Sequence, residues 1–334
     1  MNLSERYSNK LAVVKNTRFN SFDNVLVQLE VTNACNHRCV FCPNKHHNRT
    51  AKMIDYKLAE KVITECADFL GSNKNICFHM NGEPLLYNRI VELIDLSKRK
   101  GYDYIFLTTN GSLATPNLLS KIFEAGLDSI KFSINAGTEK TYKKVHGADD
   151  FEKAFAALKF AAEWKKKWNK KLKIFVSCVG IKDNYDELEL LKESVSRYCD
   201  EVVFYYPCTY AGQESVENIY CDLSDLDINT FTIKHTVPCS VLWNSINVTA
   251  EGYLAICCSE ADNRLIVENL NEMSVKEAWL GKKMQKLREK HILAQVDDTP
   301  CSSCVYGKPY NINKINMEIF ELSLSCINGK KNKR

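Results

Sequence analysis

Through the first two thirds of the chain, short apolar runs alternate with longer segments whose apolar residues recur at helical spacing. Runs rich in β-branched and aromatic residues predict strands at 24–31, 75–80, 104–109, 129–134, 172–179 and 201–206. Segment 56–70 puts Leu58, Val62, Ile63, Cys66, Phe69 and Leu70 on one helical face, and 90–98 does the same with Ile90, Val91, Leu93, Ile94 and Leu96. Further helices are expected at 116–125, 151–168 and 186–198. Gly71, Gly101 and Gly126 stand where helices should end. Strands alternating with helices in this way predict a parallel α/β sheet with right-handed crossovers. In such folds the active site lies beyond the C-terminal ends of the strands. Near Pro207 the alternation stops, and a second, smaller unit is expected there. No internal repeat and no long Gly/Ser/Pro linker interrupts the chain.

Composition changes this picture little. The 334 residues are 45% hydrophobic and 26% charged, which is ordinary for a globular protein. No apolar run reaches the ~20 residues needed to span a bilayer, and Met1 to Lys15 lack a signal-peptide pattern. A cytoplasmic protein without a membrane partner is therefore expected. A net charge of +4 is too small to imply a nucleic-acid partner. Lys165, Lys166 and Lys167 read as the solvated end of a helix, and the basic residues from Lys330 to Arg334 as a frayed terminus.

Cysteine changes the picture more. Fifteen cysteines in a reducing compartment argue for metal ligation over disulfides. Cys35, Cys39 and Cys42 form a C-x3-C-x2-C loop directly after the first expected strand. Cys239, Cys257, Cys258, Cys301 and Cys304 form a second group. The scattered remainder (Cys66, Cys77, Cys178, Cys199, Cys208, Cys221 and Cys326) read as small buried apolar residues. Three thiolates cannot fill the iron positions of a cubane, where each iron normally takes one cysteine. A [4Fe–4S] cluster held by the first group keeps one iron open to an external chelator. C-x2-C pairs also make zinc sites, and His37, His46 and His47 lie close enough in sequence to supply a fourth ligand. Four cysteines of the second group can close a cubane or a zinc knuckle.

The triplet, with aromatic Phe41 before its third cysteine, resembles that of the radical S-adenosylmethionine (SAM) enzymes. The resemblance implies a partial (β/α)6 TIM-like barrel. It also implies that the open iron binds the amino and carboxylate groups of SAM. One electron then splits SAM to a 5′-deoxyadenosyl radical, which abstracts hydrogen from the substrate. Asn81-Gly82-Glu83-Pro84, after the second strand, resembles the family's Gly-Gly-Glu-Pro motif, whose backbone and Glu contact the methionine amino group. Asn81 replaces the first glycine, so the φ of residue 81 is in question. The resemblance assigns ribose and carboxylate contacts to the polar strand ends at Thr109, Asn110, Ser133 and Asn135. It assigns adenine contacts to the backbone at Val179 and to the ring of Phe41. Read without it, the same strand ends are ordinary turn chemistry.

Cys239, twelve residues, Gly252, four residues and Cys257, followed by Cys301-Ser302-Ser303-Cys304, resemble the SPASM/twitch extension of that family, which binds auxiliary clusters. No further set follows Cys304, so one auxiliary cluster on Cys239, Cys257, Cys301 and Cys304 is expected. The expected organisation is an N-terminal extension at 1–23 and a radical SAM partial barrel at 24–207. A small C-terminal SPASM/twitch iron–sulfur domain follows at 208–310, then a C-terminal helix and basic tail at 311–334.

The implied cofactors are SAM and two [4Fe–4S] clusters, one binding SAM and one auxiliary. Oxidising a substrate radical to a carbonyl requires loss of one more electron and a proton. The auxiliary cluster would take the electron, and Glu260 or Asp262 the proton. Cys258 could be an alternative ligand, an idle thiol or a hydrogen-atom donor. The expected activity is dehydrogenation of a small polar molecule (a sugar, aminocyclitol or nucleotide-sugar), with flavodoxin or ferredoxin as reductant. The alternatives are an epimerase using Cys258, a maturase acting on a ribosomal precursor peptide, and a non-enzymatic iron–sulfur or zinc protein. Only 34 residues precede Cys35, too few for a peptide-binding domain, which favours the small molecule. The non-enzymatic reading leaves the open iron and the Gly82-Glu83-Pro84 turn unexplained.

Overall fold

A computed structural model of the chain describes residues 22–45, 47–168, 171–205, 207–210, 232–234, 239–259, 261–293, 295–307 and 309–310. The first strands and helices alternate: β1 (Leu26–Leu29), α1 (Tyr56–Phe69), β2 (Asn75–Cys77), α2 (Ile90–Arg99), β3 (Tyr104–Thr109), α3 (Pro116–Glu124) and β4 (Ser129–Ser133). Two helices in succession, α4 (Glu139–His146) and α5 (Phe151–Trp168), lead to β5 (Lys173–Val179), α6 (Leu188–Val195) and β6 (Glu201–Tyr205). Then come β7 (Thr232–Lys234), α7 (Val241–Asn244), β8 (Ser245–Val248), β9 (Tyr253–Ala255) and β10 (Ile266–Asn269). The described chain closes with α8 (Val275–Leu280), α9 (Lys282–Ile292), β11 (Val305–Gly307) and β12 (Pro309–Tyr310).

Strands β1 to β6 are parallel and neighbour one another in sequence order, as the alternation predicts. The sheet is open, with β10 at one edge and β12 at the other. Its helix-facing side is aliphatic and aromatic: Val27, Leu29, Ile76, Ile105, Leu107, Ile130, Phe132 and Val176 are buried in one core. At roughly 1.5–3 kcal/mol per buried side chain, this layer is the main stabilising term. Local signals agree with it. Asp55 accepts the amide hydrogen of Leu58 to cap α1, and Thr115 accepts that of Leu118 to cap α3, with Pro116 opening the helix. Among the described residues, no helix is long and apolar enough to cross a membrane.

The structure departs from the sequence reading at three places. Helix α4 was not expected, because only Tyr142, Val145 and His146 of its eight residues are buried. The helix expected at 186–198 is broken into a 3-10 turn (Tyr185–Glu187), α6 and a second 3-10 turn (Ser196–Tyr198). Glu187 explains the first break. Its carboxylate accepts hydrogen bonds from Gly137, Thr138 and Thr141 at the start of α4. Third, the sheet continues past residue 207: β8 pairs in parallel with β1, and β9 and β10 extend that edge. The downstream segment also docks on α1, where Lys61 Nζ donates to the carbonyls of Leu270 and Met273 and Glu65 accepts from Val275 N. Most of the expected N-terminal extension, and all of the expected C-terminal helix and tail, lie outside the described residues.

Gly252 forms the turn between β8 and β9 with φ of 94°. A Cβ there would meet Leu58 Cδ2 at 2.5 Å and Asn271 Nδ2 at 2.6 Å. Its place between Cys239 and Cys257 therefore has a structural cause. Gly252→Ala should lower stability by about 2–3 kcal/mol, from backbone strain and overpacking together. Urea unfolding measures this, and an unchanged midpoint would contradict it.

Candidate active site at the strand ends

The chain leaves β1 into the cysteine loop at the C-terminal edge of the sheet. Cys35 Sγ accepts the His37 amide hydrogen at 3.4 Å, and Cys42 N donates to the Cys39 carbonyl at 3.0 Å. Burial pushes the Cys35 thiol up to about 12 and Cys39 well above its ordinary value, and the thiols' mutual repulsion adds to both. Two close, desolvated thiols resist ionisation unless a cation joins them. With Cys42, that donor set fits a metal cluster, which would hold all three as thiolates. Phe41 is buried against Val145 and Ile181, with Val179 packed on the same patch. The structure thus brings Phe41 and Val179 together beside the cysteines.

The turn after β2 lies under this loop. A Cβ on Gly82 would stand 2.1 Å from the Thr32 carbonyl oxygen and 2.7 Å from that of Ala34. Only glycine allows this approach. Residue 81 needs no such freedom: positive φ at non-glycine positions occurs at Asn24, Asn73, Tyr210 and Asn263, not at Asn81. Asn81 instead uses its side chain, donating to Glu30 at 3.1 Å. Pro84 opens a buried 3-10 turn (Pro84–Leu86).

Glu83 accepts from Thr109 Oγ1 at 2.7 Å, Asn110 N at 2.8 Å and Leu85 N at 3.1 Å. Burial pushes its carboxyl up to about 7, against the pull of these three donors. Asn110 reaches the cysteine loop directly, donating to Asn36 Oδ1 at 2.9 Å. Glu83, Thr109 and Asn110 thus form one network. Ser133 ends β4 half-buried. Asn135 braces a second network, where its Oδ1 accepts the Val179 amide hydrogen at 2.8 Å and its Nδ2 meets His146 at 3.1 Å.

Two buried clusters escaped the sequence reading. In the first, Glu30 is wholly buried and paired with Arg49, which also pairs with Glu251. In the second, His37 Nδ1 lies 3.1 Å from His146 Nδ1, and His37 Nε2 lies 3.1 Å from Asp150. Burial holds both imidazoles below their ordinary pKa, with Asp150 pulling His37 part of the way back. No local motif marks either cluster, since its members are far apart in the chain. His46, one of the histidines considered for zinc, lies outside the described residues.

In the second cysteine group, Cys239, Cys257 and Cys301 pack on the main core, and Cys304 is buried. Burial raises the Cys301 thiol, with a smaller contribution from Cys257, so these two lie within electrostatic reach of each other. Cys257 Sγ accepts the Ser259 amide hydrogen at 3.3 Å. Cys208, read from sequence as a scattered thiol, is pushed up to about 11 chiefly by burial, with a smaller contribution from Cys257. Tyr210 next to it is raised first by burial, then by Cys208, Cys42 and Cys39. Residues 208 and 210 thus lie within electrostatic reach of both cysteine groups. Cys258 is half-buried, Asp262 accepts the Asn48 amide hydrogen at 2.6 Å, and Glu260 lies outside the described residues.

Comparison with known proteins agrees with this geometry. The Radical SAM superfamily model matches residues 29–195, and the iron–sulfur cluster-binding SPASM model matches 239–305. The chain belongs to the radical SAM superfamily. Its cofactors are SAM and [4Fe–4S] clusters, one meeting SAM and the other auxiliary. A probable GTP 3′,8-cyclase of Saccharolobus solfataricus is 31% identical over 140 residues, covering 41% of this chain and 43% of that protein. The match thus spans less than half of that relative. An uncharacterized protein of Methanocaldococcus jannaschii is 25% identical over 249 residues, 71% of this chain and 77% of its own. Among solved structures, BtrN in complex with AdoMet and 2-DOIA shares the fold at a TM-score of 0.57 and 18% identity, over 84% of this chain and 92% of BtrN. Streptococcus suis SuiB does so at 0.59 and 15%, over 85% of this chain and 72% of SuiB.

Glu83 gives a pH signature in the metal-free protein. Its folded pKa stands above the ordinary carboxylate value, so the folded state binds the proton more tightly than the unfolded one. Stability from this group is present below about pH 4.5 and is lost as pH rises towards about 7, by roughly 3 kcal/mol in all. Urea unfolding between pH 4.5 and 8 should show wild type losing this increment relative to Glu83→Gln. Parallel curves for the two proteins would contradict it.

Proposed function

We propose that this enzyme oxidises a small polar molecule, of the sugar, aminocyclitol or nucleotide-sugar class, by removing a hydrogen atom and then an electron and a proton. The observation that carries this reading is a set of polar side chains on the sheet face opposite the helices, which they share with apolar residues such as Cys77, Phe106, Phe175 and Val203. Barrel interiors are normally filled by branched aliphatic side chains. Here strand alternation puts Gln28, Lys131, Ser133, Ser177 and Asn247 on that face. Gln28 Oε1 and Asn247 Nδ2 sit on paired positions of β1 and β8, both buried and without a partner among the described residues. Buried amides are normally hydrogen-bonded, so a polar occupant that bonds to both suits this face. BtrN, solved with AdoMet and 2-DOIA, shares this fold over 92% of its chain.

When bound, SAM and the clusters supply the hydrogen-atom abstractor and the electron sink. Cys35, Cys39 and Cys42 hold one cluster in this reading, and Cys239, Cys257, Cys301 and Cys304 the other. Glu83, in the turn under the loop, places a carboxyl group where the SAM amino group is expected, whose positive charge would favour its ionised form. Phe41 and Val179 form a dry wall for the adenine. The proton passes to Asp262 or Glu260, Asp262 being held by the amide of Asn48 in the segment after the cysteine loop. A flavodoxin or ferredoxin supplies the electron.

Reconstituted enzyme, SAM and reductant in deuterated water should convert a member of an aminocyclitol and nucleotide-sugar panel to a product two mass units lighter. That product should carry no deuterium at the reacting carbon. Cys258→Ala should still turn over, while loss of the general base should slow the reaction by roughly 10²-fold or more. A product of substrate composition with one solvent deuterium, together with an inactive Cys258→Ala, would instead make the enzyme an epimerase. Turnover of a peptide alone would make it a maturase.

A further inference from the structure

The histidine pair beside the cysteine loop has a hydrogen-bonding order that can be read from one end. The Asn135 backbone amide donates to His146 Nε2 at 3.1 Å. A backbone amide is always a donor, so Nε2 of His146 is the acceptor nitrogen and the ring hydrogen sits on Nδ1. At the other end of the pair, His37 Nε2 faces the Asp150 carboxylate at 3.1 Å and is therefore the donor nitrogen. Nδ1 of a neutral His37 is then an acceptor. His146 Nδ1–H has two acceptors in reach: His37 Nδ1 at 3.1 Å and Cys39 Sγ at 3.7 Å.

The ring of His146 is held in place from several sides. Tyr142 stacks on it at 3.9 Å between centroids. Its own carbonyl accepts Arg38 N, and the Val145 carbonyl accepts Val40 N, both at 2.9 Å. These two bonds tie the residues flanking Cys39 to the end of α4. The donor is thus fixed relative to the sulfur before any cluster binds.

We propose that His146 is a positioning residue for Cys39, donating its Nδ1 hydrogen to the cysteine sulfur and so setting the reduction potential of the SAM-binding cluster. The inference rests on Cys39 being a cluster ligand. A sulfur bearing the cluster's negative charge is a stronger acceptor than the neutral imidazole beside it, so the shared hydrogen shifts towards Cys39. Hydrogen bonds to cluster sulfurs are among the groups that set the potential. A donor stabilises the more negative, reduced cluster and raises its potential. His37 and Asp150 complete the chain by fixing the tautomer, as outer-shell partners do at metal sites.

Two variants separate this role from packing. His146→Phe keeps a ring against Tyr142 but has no donor. His146→Asn keeps an N–H near the Nδ1 position. Both lose the acceptor for Asn135. In potentiometric titrations followed by electron paramagnetic resonance, the SAM-binding cluster is recognised by the change in its spectrum when SAM is added. His146→Phe should weaken its reduction equilibrium about tenfold, a fall of about 59 mV for a one-electron couple. His146→Asn should return close to wild type. An intact cluster of unchanged potential in His146→Phe would overturn the proposal. Should His146→Phe fail to hold the cluster, pulsed resonance on reduced wild-type enzyme carrying 15N-histidine decides the matter. A histidine nitrogen coupling to the cluster supports the proposal, and its absence overturns it. Stoichiometric zinc on His37, Cys39 and His146, in place of a cluster, would overturn both the proposal and the cluster assignment.

Discussion

The buried carboxylate of Glu30 is the constraint on which the site depends. It stands just past the end of β1, fully removed from solvent, and accepts from five donors: Arg49 Nη1 and Nη2, Asn81 N and Nδ2, and Ala250 N. These donors come from the segment after the cysteine loop, the turn after β2, and the turn between β8 and β9. Arg49 extends the network to Glu251 and to Asn33, which also donates to Glu251. Burial works against charge on Arg49, and its two carboxylates outweigh that and hold it cationic. Breaking one side of a buried pair typically costs about 3–5 kcal/mol, because the other charge is left unpaired. The network joins the SAM side of the molecule to the auxiliary-cluster side through a single side chain.

Around that anchor the environment favours neutral groups. Burial raises the thiols of Cys35 and Cys39 and the carboxyl of Glu83. A protein gains nothing from such a cluster of suppressed anions unless something positive joins them. A bound cation reverses the local pKa logic, turning thiols into thiolates and lowering a nearby carboxyl. Family membership names the iron–sulfur cluster and SAM as those partners, and the electrostatics supply the physical reason that this loop and this turn lie together. Gly82 contributes only the absence of a side chain, which lets the turn approach the Thr32 and Ala34 carbonyls.

Much of this was legible in the sequence because it is local. The strand at 104–109 and the helix at 151–168 end where their apolar patterns end. The cysteine spacing and the Gly82-Glu83-Pro84 turn are contiguous, and so are visible without a fold. Helix α4 was hidden because its exposed face is almost wholly charged, leaving little apolar period to read. The networks of Glu30, Arg49 and Glu251, and of His37, His146 and Asp150, were hidden for another reason. Each joins residues that only the sheet brings together. The same holds for β8, a short strand that reads as irregular chain until β1 offers it an edge.

The central claim is that two cysteine groups hold two clusters, and that the first keeps an open iron for SAM. Iron analysis after anaerobic reconstitution, paired with Mössbauer spectroscopy, tests it most directly. The account predicts about eight irons per chain, with the spectrum of one iron site changing when SAM is added. Replacing Cys35, Cys39 and Cys42 together by alanine should leave about four irons and no response to SAM. A wild-type chain that binds zinc tightly and retains only trace iron would contradict the account.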